Sequence, residues 1–266
     1  MLRDRILTAL VAIPLLIWLI LGVSDVVFAL VVLAFTFLSL REFAAMQRVG
    51  IYGGTLLTAG AGMTIALSMW VDSTGATLSA GIVVALIGVL LGTLATAEDM
   101  PRSVMGAGQI MFAALYGGLL LPHLIWLRGL DHGPGLVFFV LATAMASDAG
   151  GYFAGRSLGK RKLWPTVSPN KTVEGAIGSV AAAVVIGTAF QLGLVGRFGF
   201  VECLFLTATM SVLSQLGDLS ESMIKRAYNA KDSGWILPGH GGVLDRTDSM
   251  ILPIVFTFYY AALAWI

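Results

Sequence analysis

Charge is what this sequence has least of. Lysine, arginine, aspartate and glutamate make up 12% of its 266 residues, where a soluble globular chain carries roughly 25%. Cysteine is nearly absent: Cys203 stands alone in an apolar run, which rules out an internal disulfide and reads as a small buried hydrophobe. A basic excess is missing as well, since 16 cations face 15 carboxylates for a formal net charge of +1. That balance supplies no electrostatic footprint for a nucleic acid, and none is expected as a partner. No sequence repeat and no stretch resembling a soluble domain is visible.

Hydrocarbon is what the chain has instead. It is 58% hydrophobic, with a mean hydropathy of +0.90. Composition of that kind predicts an all-α, polytopic integral membrane helix bundle. Nine candidate spans are expected, at about 6–23, 26–45, 54–71, 76–96, 105–127, 134–154, 173–195, 200–224 and 249–266, each approaching the ~20 residues that cross ~30 Å of hydrocarbon. The first follows Arg3 and Arg5 and has no small-residue cleavage site after it, so it reads as a retained span rather than a signal peptide. Glycine is abundant, with 32 residues, and Gly88 and Gly92 form a small-xxx-small face of the kind that packs helices closely in lipid.

Lysine and arginine fix an expected orientation. With nine spans and the N-terminus inside, only Arg128 and Arg197 of the 16 cations fall outside. The positive-inside rule then puts residues 148–174 and 218–248, the two chemically dense stretches, on the cytoplasmic face of the cell membrane. The chain divides in kind into a hydrophobic front, 1–133, suited to scaffold, lipid access and oligomer contacts, and a back, 134–266, that carries the polar motifs. No linker separates them.

Residues 218–248, DLSESMIKRAYNAKDSGWILPGHGGVLDRTD, hold nine of the charged residues: Asp218, Glu221, Lys225, Arg226, Lys231, Asp232, Asp245, Arg246 and Asp248. Charge so close to hydrocarbon is costly and is kept for chemistry or for an ion or substrate path. Acids able to hold a cation beside bases able to hold an anion point to a metal-assisted phosphate site. Asp218, Glu221, Ser222 and Lys225 fall on one helical face; an intrahelical salt-bridge stripe is the plainer reading. The loop that follows has glycine at 234, 239, 241 and 242, suited to presenting backbone N–H groups to an anion. His240 within it is open between a ligand, a proton carrier and a hydrogen bonder that fixes the turn. Asp245 and Asp248 share a face as the last helix begins, where the macrodipole alone would also favour them.

The second stretch reads SDAGGYFAGRSLGKRKLWPTVSPNKTVEG, residues 148–175 with the serine before them. Asp148 lies inside a span, with Gly151 and Gly155 permitting close packing. Gly155, Gly159 and Lys160 do not make a P-loop, because the spacing is one residue short and Arg161 replaces the required Ser or Thr. Ser168 to Gly175 is a donor-rich loop leading into a helix, with Lys171 near a terminus that favours anions. Lys160, Arg161 and Lys162 fit a phosphate or lipid-headgroup patch, or simply the positive-inside signal.

The run from Ser222 to Asp248 resembles, without departure, the signature of the phosphatidate cytidylyltransferases, or CDP-diacylglycerol synthases, and the resemblance extends over Asp148 to Gly175. It implies a membrane enzyme that joins phosphatidic acid to CTP, releases pyrophosphate and requires Mg²⁺, with a second cation left open. On that resemblance Asp218, Lys225, Asp245, Arg246 and Asp248 form the expected catalytic set. Asp218, Glu221, Asp245 and Asp248 are the expected metal carboxylates. Asp148, Asn170, Lys171, Glu174, Ser222, Arg226, Lys231, Asp232, His240, Gly241 and Gly242 are the expected substrate contacts. The partners are CTP, phosphatidic acid and membrane lipid, and a homodimer stays open. Another CTP-dependent enzyme on a lipid phosphate, or a lipid kinase, is the nearer alternative. An ion-coupled transporter would show repeats and interrupted helices at mid-membrane rather than polar groups gathered at one side.

Overall fold

The structure, a computed structural model, describes residues 14–47, 53–72, 74–196, 198–234 and 241–264. Residues 14–21 are helical. They are followed by α1 (Asp25–Gln47), α2 (Gly54–Val71), α3 (Ala76–Ala95), α4 (Met100–Leu115), a π-helical turn (Tyr116–Leu120) and α5 (His123–Gly129). Then come α6 (Gly133–Leu158), strands β1 (Lys162–Trp164) and β2 (Ser168–Thr172), α7 (Val173–Phe190), a second π turn (Gln191–Val195), α8 (Phe200–Ala227) and α9 (Leu244–Ala264). Exposed Leu, Val, Ile and Phe along most of these helices are the outward face that a lipid-embedded bundle requires.

Seven helical runs among the described residues, not the nine expected, are long and apolar enough to cross a membrane. Of the first expected span, 6–23, residues 6–13 lie outside the described ones, and the described remainder is helical only over 14–21. The last, α9, is not among the seven, and its opening turn carries Asp245, Arg246 and Asp248. The expected fifth span, 105–127, is a longer run from Met100 to Gly129 broken by the π turn. A methyl group on Gly118 in that turn would strike the Gly62 backbone, so α2 and the turn meet main chain to main chain. The loop expected before α7 is instead a β-hairpin in which Lys162 pairs with Thr172 and Trp164 with Ser168.

Local chemistry sets the helix starts. Asp99 accepts from the Arg102 amide at 3.2 Å with Pro101 in the first turn of α4, and Thr172 Oγ1 accepts from the Gly175 amide at 3.1 Å to open α7. Glu202 reaches back to the Gly199 amide at 3.2 Å and also accepts from the Tyr260 hydroxyl at 2.6 Å, tying the start of α8 to the far end of α9.

One apolar core runs through Phe28 and Val32 of α1, Trp126 of α5, Leu136 to Val140 of α6, Leu206 and Met210 of α8 and Phe258 of α9. Arg128, counted above as an outer-side signal, is buried. It pairs with Asp25 at 2.5 Å and donates to the carbonyls of Ile20 and Val23, closing the end of the helix at 14–21. Asp25 opens α1 and Glu42 lies 17 residues further along it, about 25 Å at 1.5 Å per residue. The Arg128 pair and the polar cluster around Glu42 therefore sit at opposite ends of one helix.

Two glycine contacts place the polar residues. Gly150, Gly151 and Gly155 of α6 face Gly175, Gly178 and Ser179 of α7. A Cβ on Gly175 would lie 3.0 Å from the Gly151 carbonyl and 3.3 Å from the Gly155 Cα. At Gly217 a Cβ would strike the Asp248 carbonyl oxygen, so α8 and α9 cross backbone to backbone and bring Asp218 beside Asp248. Of the small-xxx-small pair singled out in the sequence, Gly92 packs on Leu57 whereas Gly88 meets nothing within 4 Å.

Candidate active site

The two dense stretches meet. Lys171 Nζ on β2 lies 2.6 Å from Asp218 Oδ2 on α8, and Asp148 Oδ2 on α6 accepts from the Ser249 hydroxyl on α9 at 3.2 Å. Between α6, β2 and α8 lies a cavity of about 430 Å³, lined by Asp148, Tyr152, Arg156, Asn170, Lys171 and Asp218 with the glycines of the α6–α7 seam. Arg156 donates to the Tyr152 hydroxyl at 2.8 Å on its wall.

Behind this cavity the helical face of α8 carries a second ion-pair centre. Lys225 Nζ bridges Glu221, one turn back, and Asp245 Oδ1 on α9 at 2.6 Å. Glu221 is fully buried, and its Oε1 has no hydrogen-bond partner. The helical face expected from the spacing is therefore in place, and its lysine joins two helices rather than forming only a surface pair. Ser222 donates weakly to Asp218 at 3.4 Å. Asp248 is buried, accepts from the Ser249 amide at 2.7 Å and lies in the electrostatic field of Asp218. Arg246, in the first turn of α9, is exposed.

At the described ends of the glycine loop, the amides of Ser233 and Gly242 do turn toward an anion, but that anion belongs to the chain. Asp245 Oδ2 accepts from the amides of Gly242 (2.8 Å) and Ser233 (3.0 Å) and from the Ser233 hydroxyl (2.8 Å). Gly241 takes φ 80°, and a side chain there would press on that carboxylate at 2.8 Å.

A residue missed from sequence completes the arrangement. Glu42 on α1 is buried, and its carboxylate accepts from the amides of Val243 (3.0 Å) and Leu244 (2.9 Å), with the Ser233 hydroxyl 3.4 Å away. The signal was available: an acid within an expected span is the same feature that drew attention to Asp148. Tyr116 in the π turn is a second such residue. Its buried hydroxyl has no hydrogen-bond partner and stands in the field of Asp248, Glu221 and Asp218. A π turn is a common mark of a functional position.

Other expected site residues lie apart. Glu174 is not on the cavity wall; it caps the hairpin by accepting from the amides of Lys160 (3.0 Å) and Arg161 (3.2 Å). Arg226, Lys231 and Asp232 are exposed and do not line the cavity. His240 lies outside the described residues.

The fit of a divalent cation rests on charge. Asp148, Asp218, Glu221, Asp245 and Asp248 outnumber Arg156, Lys171, Lys225 and Arg246 here by one, and Glu221 Oε1 is an orphaned buried acceptor. Negative excess in a partly dry site favours a cation. Among the described residues no group of three such side chains is drawn close enough to hold a metal. Asp245 already has donors on both oxygens, so it would have to exchange one of them to bind an ion.

Comparison with known proteins matches residues 3–264 to the family model described as Cytidylyltransferase family. The phosphatidate cytidylyltransferase of Brucella suis biovar 1 (strain 1330) is 34% identical over 265 residues, 98% of this chain and 94% of that protein. That of Bacillus subtilis (strain 168) is 47% identical over 157 residues, 59% of this chain and 58% of that protein. A third, from Staphylococcus saprophyticus, is 38% identical over 155 residues, 58% of this chain and 59% of that protein. The last two matches thus span less than two thirds of those proteins.

Proposed function

Because the chain belongs to the cytidylyltransferase family, over residues 3–264, we propose that it joins phosphatidic acid to CTP, forming CDP-diacylglycerol and releasing pyrophosphate. The observation that carries this reading is the meeting of Lys171 with Asp218 on the wall of a cavity that Asp148 and Arg156 also line, in a lipid-embedded bundle. One substrate is a highly charged nucleotide and the other is anchored by acyl chains, and a cavity at the end of membrane helices admits both.

A phosphate oxygen of phosphatidic acid attacks the α-phosphorus of CTP in line. The bond from that phosphorus to the oxygen bridging the β-phosphate breaks, and pyrophosphate departs with the electron pair. The nucleophile is already anionic near neutral pH, so no protein base is required. Catalysis of this kind is positioning and charge neutralisation. Lys171, Asn170 and Asp148 line the nucleotide side of the cavity. Lys225 and Arg246 offset charge developing on the leaving group, and the exposed Arg226 and Lys231 add positive charge that attracts the triphosphate. Asp218, Asp248 and Glu221 are the carboxylates that would hold Mg²⁺, with Asp245 joining after exchange of a donor. When bound, the ion would neutralise phosphate charge and hold the reacting groups in register.

The site end of the bundle faces the cytoplasm in this reading, where CTP is found; the gathering of Lys and Arg on that side supports it. The acceptor is tested by supplying CTP with either phosphatidic acid or diacylglycerol to the purified protein. Turnover only with phosphatidic acid is expected, and turnover with diacylglycerol alone would make the protein a lipid kinase.

A further inference from the structure

The loop that carries Ser233, Gly242 and Asp245 is held from a helix nearly two hundred residues earlier in the chain. Glu42 is the only contact point on α1 that reaches it through hydrogen bonds among the described residues, and it uses both carboxylate oxygens. Oε1 takes the Val243 amide and Oε2 takes the Leu244 amide, with the Ser233 hydroxyl oxygen 3.4 Å from Oε2. The fit is close on all sides. A Cβ on Gly234 would lie 2.5 Å from Glu42 Oε1, and one on Gly242 would lie 2.5 Å from Oε2, so neither position admits a side chain while this carboxylate stays in place.

From Glu42 a continuous path leads to the reacting end. Ser233 Oγ stands 3.4 Å from Glu42 Oε2 and 2.8 Å from Asp245 Oδ2, to which its one proton is donated; Asp245 Oδ1 lies 2.6 Å from Lys225 Nζ; and Lys225 pairs with Glu221. A buried carboxylate persists only when donors satisfy it. Here those donors are backbone groups of the segment that launches α9, so the charge fixes where Asp245 and Asp248 stand.

We propose that Glu42 is a positioning residue of the active site: its buried carboxylate gathers Ser233, Val243 and Leu244 and thereby sets the Asp245–Lys225 pair against the nucleotide. Glu42 touches no substrate. Its effect is on the placement of charge during transfer, not on lipid or nucleotide capture. The proposal rests on the cytidylyltransferase reading for its assay, and on geometry alone for its second readout.

The test compares Glu42→Gln, Ser233→Ala and the double variant with the wild type in detergent. Glu42→Gln keeps the shape but offers one acceptor oxygen and no charge. It is expected to lower kcat at least tenfold while KM for CTP and for phosphatidic acid stays within threefold. Ser233→Ala is expected to lower kcat by about threefold to tenfold, and the double variant to be within twofold of Glu42→Gln, because both act along one path. Hydrogen exchange at the Val243 and Leu244 amides is expected to quicken in Glu42→Gln; this readout stands even if the substrates prove to be different. Wild-type kcat in a folded Glu42→Gln, or multiplicative losses in the double variant, would overturn the proposal. If Glu42→Gln does not fold, wild-type kcat in folded Ser233→Ala overturns it and a lowered kcat sustains it. If the wild type is inactive with these substrates, the substrate reading fails and the amides decide this proposal: quickened exchange in Glu42→Gln sustains it and unchanged exchange overturns it.

Discussion

Lys225 and Asp245 are twenty residues apart and 2.6 Å from one another, and this pair is what joins α8 to α9 at the polar end of the bundle. Lys225 also neutralises Glu221, which has no exposure to solvent. The pair therefore has two consequences, one for stability and one for chemistry.

Lys225→Met is expected to destabilise the protein, because it leaves Glu221 buried without a partner. Breaking a buried pair from one side costs about 3–5 kcal/mol. Adding Glu221→Gln should recover most of the thermal midpoint without recovering activity. Thermal unfolding in detergent, read alongside kcat, separates the two effects; a single variant as stable as the wild type would show that Glu221 reaches water.

Asp218→Asn and Asp248→Asn are each expected to lower kcat on the order of 10²-fold, since each removes a unit of charge facing a cation in a partly dry site. Both should raise the Mg²⁺ concentration for half-maximal rate. The double variant should lose much less than the product of the single losses if the two carboxylates serve one ion. Steady-state rates across a Mg²⁺ titration decide this, and an unchanged titration in both variants would remove these carboxylates from the metal set.

Gly178→Leu is expected to disrupt the α6–α7 seam, because even a Cβ there would strike Ala154 and lie 3.0 Å from the Gly150 carbonyl. Overpacking of this kind costs about 1–3 kcal/mol or more. Gly108→Ala, with nothing within 4 Å, should be neutral. The two midpoints measured together check that the seam, rather than glycine content in general, holds Asp148 and Lys171 on one cavity.

Much of this was legible in the chain. Spans from 54–71, 76–96, 134–154, 173–195 and 200–224 correspond to α2, α3, α6, α7 and α8, because long apolar runs bounded by Gly, Pro and acids carry their own limits. The face of Asp218, Glu221 and Lys225 followed from helical spacing alone. What spacing could not carry was partnership between distant segments. Glu42 reads as one acid in an apolar helix until α9 folds against it, and Glu174 reads as a nucleotide contact until the hairpin supplies the amides of Lys160 and Arg161. The π turn at Tyr116 was illegible for a further reason: a single inserted residue leaves an apolar run looking continuous.

Topology gives a further expectation. In a Cys203→Ser background, Lys162→Cys and Asp131→Cys should label from opposite sides of sealed vesicles, because α6 separates the exposed positions 131 and 162. Labelling of both from one side would contradict the membrane placement of α6 and the shared cytoplasmic exposure of the two motifs.

The fate of the CTP phosphates tests the central claim most directly. Purified protein is given phosphatidic acid, Mg²⁺ and CTP carrying a radiolabel at either the α- or the γ-phosphate. The account predicts that α-label enters the lipid while γ-label leaves as pyrophosphate, one for one. Gamma-label in the lipid, or α-label confined to water-soluble nucleotide while phosphatidic acid is consumed, would contradict it.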